Sequence, residues 1–84
     1  MTDETNARQA REHFNRALLA LRPLSREPDQ HSEDALAEAK VCYHTAVYFR
    51  KLVKNAELRA PLEDLERHVV AAMYGQALWE AMLR

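Results

Sequence analysis

Apolar positions along this chain recur in steps of three and four, with no sustained alternation, so the pattern predicts three helices and no strand. In the first stretch, Ala7, Ala10, Phe14, Ala17 or Leu18, and Leu21 make one stripe, with Arg8, Glu12, Asn15 and Arg16 opposite. Thr2-Asp3-Glu4 supplies a capping residue and acids where a helix start favours them. A helix over about 3–22 follows, with Leu19 as the one apolar residue on its outer face. Pro23 stops it. The connection LRPLSREPDQHS is polar, and Leu24 is expected to fold back under the bundle.

The stretch ALAEAKVCYHTAVYFRKLVKNA organises the rest. Ala35, Ala39, Cys42, Ala46, Phe49, Val53 and Ala56 follow the seam spacing of packed helices. A second row, Leu36, Tyr43 and Val47, flanks the seam on one side, and Val41, Tyr48 and Leu52 flank it on the other. The polar strip left over holds Glu33, Lys40, His44, Lys51 and Asn55. A helix apolar around most of its circumference is a central one. The expectation is a long core helix over about 33–57, with Ser32 as its N-cap and Glu33 and Asp34 in its first turn.

Pro61 suits the first position of a third helix over 61–83, with Glu63, Asp64 and Glu66 acidifying its start. This helix carries two apolar faces. Leu65, Ala72, Trp79 and Leu83 make one, with Ala71, Leu78 and Met82 beside it. Val70, Tyr74, Ala77 and Ala81 make the other. Gly75 sits between them, where a glycine costs about 1 kcal/mol against alanine, and the spacing Ala71-x-x-x-Gly75 suggests close helix contact as compensation. Three helices cannot bury all of this surface, and contiguous exposed apolar patches mark interfaces. For a chain this small, a two-fold homodimer is the commonest solution. Val70, Tyr74, Ala77, Leu78, Ala81 and the outer-face Leu19 are therefore the candidate interface residues. The expected fold is all-α: an antiparallel three-helix bundle with a long central helix, one domain over 1–84, dimerising into a larger helical bundle.

Composition narrows the class. Eighty-four residues make one domain near the lower limit for a core without disulfide or metal. A net charge of −1 gives no global field towards nucleic acid or an anionic membrane. The single cysteine, Cys42, forbids an intramolecular disulfide and fits a reducing compartment; its place in the seam reads as an inert core thiol. No apolar run is long enough to span a membrane, and the polar, acidic start MTDETNARQ is unlike a signal peptide, so the expected location is cytoplasmic.

Candidate chemistry is sparse. Cys42 and His44 point about 200° apart on a helix and cannot grip one metal. Glu63, Glu66 and His68 lack the Glu-x-x-His spacing of di-metal bundles, because Leu65 stands where a glutamate is needed. His13 lies beside the first core stripe, and His31 falls in the connection. Ser25 and Ser32 read as loop and cap residues, and one glycine in the chain forbids a Gly-rich phosphate loop. Arg8-x-x-x-x-His13 resembles the Arg/His element of HEPN-type endoribonucleases over six residues. That family carries the element late in a larger bundle, not in a first helix, and no family is assigned on it.

The sequence therefore leads to an expectation of no catalysis, no cofactor and no metal. It describes a small interaction protein that pairs with itself and with another protein, as an adaptor, inhibitor or accessory factor. The alternative is a nucleic-acid-binding regulator using Arg50, Lys51, Lys54 and Arg59, extended by Arg67, a cluster otherwise explained by helix-dipole compensation and by the acids that follow it.

Overall fold

The structure, a computed structural model, describes residues 2–21 and 31–82, with the backbone alone for 31–34, 79, 80 and 82. It consists of α1 (Asp3–Leu21), α2 (His31–Leu52) and α3 (Ala56–Met82), packed against one another, with no strand among the described residues. The most extensive contact joins α1 to α2, and α3 lies against both. The molecule measures 44 × 17 × 16 Å. Its long dimension is close to that of α3 itself, about 40 Å at 1.5 Å per residue.

Thr2 caps α1, its hydroxyl oxygen accepting the Thr5 N–H at 3.2 Å. The stripe of α1 is buried as predicted: Ala10, Phe14, Ala17 and Leu21 enter the core, with Asn6 alongside and Ala7 and Leu18 partly covered. From α2 come Ala39 and Ala46, from the following link Val53, and from α3 Leu62 and Val69. Alanines at the seam let the backbones approach, and Phe14 supplies most of the bulk between them. Its ring meets Tyr43 of α2 at 6.2 Å. His13 stacks on Phe49 of α2 at 5.9 Å, so this histidine is a packing residue.

The end of the second helix and the start of the third differ from the predicted ones, and a contact from the start of α1 accounts for both. The expected second helix runs to residue 57, whereas α2 ends at Leu52, and its last turn tightens as the Val53 N–H donates to the Arg50 carbonyl at 3.1 Å. One carboxylate oxygen of Asp3 accepts the N–H groups of Lys54 and Asn55, at 3.1 and 2.8 Å. The start of α1 thereby holds the link in a non-helical conformation. Asn55 then caps α3, its side-chain oxygen accepting from Glu57 at 2.8 Å and Leu58 at 3.4 Å.

The third helix consequently begins at Ala56, and Pro61 lies inside it instead of opening it. Glu63, Asp64 and Glu66 lie beyond the first turn, whose acid is Glu57. A proline there removes one ladder hydrogen bond. Leu58 and Leu62 offset this, because they share the inward line that Leu65 and Val69 continue, so the helix keeps its packing on both sides of the proline. The inner face of α3 thus includes Leu62, Val69 and Gln76, none of which belongs to the stripes predicted for it.

The second helix is shorter than the expected 33–57 span and the third is longer than 61–83: α2 has 22 residues and α3 has 27. The second helix is not covered all round. Its row of Val41, Tyr48 and Leu52 is exposed, Val41 at 67%. Cys42 is half-buried against the core. Ala56, predicted to end the seam of α2, is the first residue of α3 and is exposed. Ser32, the expected cap, falls inside α2, and its side chain, like that of His31, lies outside the described residues. The same holds for Pro23, Leu24 and Ser25, and for the side chains of Trp79, Met82 and Leu83.

Candidate functional site

At about 100° per residue, the side chains of α3 fall into two sectors. Leu58, Leu62, Leu65, Val69, Ala72, Met73 and Gln76 turn towards α1 and α2. Val70, Ala71, Tyr74, Ala77, Leu78 and Ala81 turn away, all of them exposed, Tyr74 at 67%. Five of the six predicted interface residues thus share one outer face. Leu19, the sixth, is exposed on the outer side of α1, apart from them. Between Val69 and Leu78 the helix carries no Asp, Glu, Lys or Arg, so the middle of this face is apolar and uncharged.

One edge of the face runs into a groove between α2 and α3. Leu36, Lys40 and Tyr43 form its α2 wall, and Val70, Met73, Tyr74 and Ala77 its α3 wall, around a volume of about 320 Å³. The other side of Val70 and Tyr74 borders a shallow hollow of about 360 Å³ with Glu66, Arg67 and Ala71. The groove residues Leu36, Lys40, Tyr43 and Met73 are additions that periodicity within one helix does not reveal. Leu36 and Tyr43 flank the α2 seam, but which neighbour they meet depends on how α3 is placed.

The groove ends on a polar cross-link. Arg50 of α2 forms an ion pair with Glu66 of α3, both side chains about one-fifth exposed. Tyr43 adjoins the pair. Burial pushes its hydroxyl above the usual phenol range, and the Glu66 carboxylate adds to this by its charge and by hydrogen bonding, while Arg50 opposes it. Removing either charge alone would strand the other in a partly desolvated seam.

The predicted basic cluster is dispersed over three elements. Arg50 and Lys51 lie in the last turn of α2, Lys54 in the link and Arg59 on α3. Arg50 is bound to Glu66, and Arg59 lies 3.5 Å from Glu63. Arg67 pairs with Asp64. Lys51 and the Lys54 side chain face solvent. Most of the cationic charge is therefore compensated within the fold, which leaves little to hold phosphates.

His44 is exposed with Tyr43 edge-on at 5.3 Å, and the Nδ1 of His68 lies 2.8 Å from the Asp64 carbonyl. No group of three His, Cys, Asp or Glu side chains among the described residues converges on a metal position. No helix among them is long and apolar enough to cross a membrane. Gly75 is exposed, and a Cβ built on it meets no heavy atom within 4 Å. The close helix contact anticipated for Ala71-x-x-x-Gly75 does not occur among the described residues.

Comparison of the chain with protein-family models, with curated proteins and with solved structures finds no match.

Proposed function

We propose that this chain is a non-catalytic helical interaction module: an antiparallel three-helix bundle that forms a homodimer and, in that form, binds another protein as a cytoplasmic adaptor, inhibitor or accessory factor. The observation that carries the reading is the outer face of α3. Val70, Tyr74 and Leu78 leave much of their apolar surface uncovered on a helix whose opposite side already supplies the core. Surface of this kind loses free energy on burial, at roughly 25 cal/mol per Å², and tyrosine is a favoured anchor of protein interfaces. The exposed row Val41, Tyr48 and Leu52 on α2, together with Leu19 on α1, leaves further apolar surface for a second partner.

The test is solution mass by light scattering over a concentration series, on wild type beside Tyr74→Glu and Leu19→Glu. The expected result is a dimer that Tyr74→Glu dissociates and Leu19→Glu leaves intact. A wild-type dimer that survives Tyr74→Glu would place self-association elsewhere. A wild-type monomer at every concentration would remove the homodimer.

A further inference from the structure

On the interaction reading just given, we infer that the outer face of α3 is covered by the same face of a second copy, laid antiparallel about a two-fold axis beside Gly75 and Gln76. Val70, Tyr74, Ala77 and Ala81 follow steps of four, three and four, the spacing of a helix–helix seam. Their sizes are not evenly distributed. The bulky pair, Val70 and Tyr74, comes first, and the two alanines come last.

An antiparallel pair therefore sets Tyr74 against Ala77 of the second copy and Val70 against its Ala81. On one flank of the seam, Leu78 comes beside the second copy's Ala71. Each bulky side chain meets a methyl group, the alternation that lets facing layers interdigitate. A parallel pair would stack Tyr74 on Tyr74 and leave alanine facing alanine, with a gap at that layer. The seam positions Val70, Tyr74, Ala77 and Ala81 are themselves uncharged in either arrangement. The face is complementary to itself in one direction only.

The area fits a second copy of modest affinity. Val70, Tyr74 and Leu78 are 45, 67 and 49% exposed; with the flanking alanines and the groove walls Leu36, Lys40 and Met73, complete coverage in a two-copy contact would bury at most about 1,200 Å², the lower limit for specific association. The expected product is a reversible dimer with a dissociation constant on the order of micromolar. In this arrangement Tyr74 of each copy borders the α2–α3 groove of the other, so the groove is closed only in the pair.

Cysteine cross-linking in the full chain tests both the face and the direction. Cys42→Ser serves as the background, with helical content and solution mass checked against wild type before cross-linking. Val70→Cys and Ala81→Cys are then made singly in it. Under mild oxidation, an equal mixture of the two variants should form the mixed disulfide, while neither alone should cross-link. In the antiparallel pair, two copies of position 70 lie about 16 Å apart along the axis at 1.5 Å per residue, and a disulfide needs Cα atoms within about 7 Å.

Rapid cross-linking of each variant alone would show a parallel pair. A dimer by mass with no cross-link in any combination would place the contact on another face. Either result overturns this inference and leaves the interaction module standing. A wild-type chain that stays monomeric well above the micromolar range overturns the homodimer as well.

Discussion

Replacing Gly75 with alanine should make the protein more stable. Gly75 lies in the interior of α3, its φ is not positive, and an added Cβ would meet nothing within 4 Å. The methyl group therefore creates no clash and fills no cavity, and its effect reduces to helix propensity and unfolded-chain entropy. Glycine in a helix interior is about 0.8–1.0 kcal/mol less favourable than alanine, partly because it has more unfolded conformations to lose. For a domain of this length, a gain near 1 kcal/mol raises the melting temperature by roughly 4–8 °C. The assay is urea unfolding followed by far-UV circular dichroism, with thermal melts alongside, at dilution where the single chain predominates. An unchanged or lowered stability would refute the reasoning, since it would mean that the Gly75 Cα packs closely against another part of the chain. That is what the Ala71-x-x-x-Gly75 spacing suggests when read without the structure.

Four further outcomes are expected. Phe14→Ala should destabilise the fold by about 3–5 kcal/mol, the usual cost of emptying a fully buried phenylalanine site; a shift under 1 kcal/mol in urea unfolding would mean that Phe14 is not the centre of the core. Asn55→Ala should cost about 1 kcal/mol through loss of the α3 cap, and Asp3→Ala should speed hydrogen exchange at the Lys54 amide, whose acceptor it removes; unchanged exchange would show that water serves the link equally well. Tyr43 is neutral in the fold to higher pH than in the unfolded chain, so its contribution is fully present below about pH 10 and is lost as pH rises through the folded value. Stability of wild type relative to Tyr43→Phe should therefore fall above pH 10 in parallel unfolding titrations, and a constant difference would show that neither burial nor Glu66 raises the hydroxyl pKa.

The core side of α1 was legible in the sequence because a single amphipathic stripe has one way to be buried: Ala10, Phe14, Ala17 and Leu21 point inward, and Leu19 points out. Capping was legible at Thr2 for the same reason of locality, since its acceptor and the Thr5 N–H are neighbours in the chain. The α2–α3 boundary was not. Pro61 and its following acids imitate a helix start, whereas the break depends on Asp3, which accepts the Lys54 and Asn55 amides from more than fifty positions away. No reading confined to residues 50–65 contains that carboxylate.

The sequence by itself determined that the chain is helical, that it has more apolar surface than three helices can bury, and that Val70, Tyr74, Ala77, Leu78 and Ala81 share a face. These are properties of side-chain chemistry at fixed angular spacing, and they do not depend on what the helices meet. Tertiary structure alone decided which rows were covered. On α2, the seam row and both flanking rows were expected to be covered, and packing on α1 and α3 left Val41, Tyr48 and Leu52 outside. On α3, the choice of Leu62 and Val69 as the inner line turned Val70 and Tyr74 outward and opened the groove against Leu36 and Tyr43. It also set Glu66 against Arg50, so a cation cluster that looked available in sequence became a cross-link between helices. Periodicity fixes which residues lie together on a helix; only the neighbours fix which of those faces is left for another molecule.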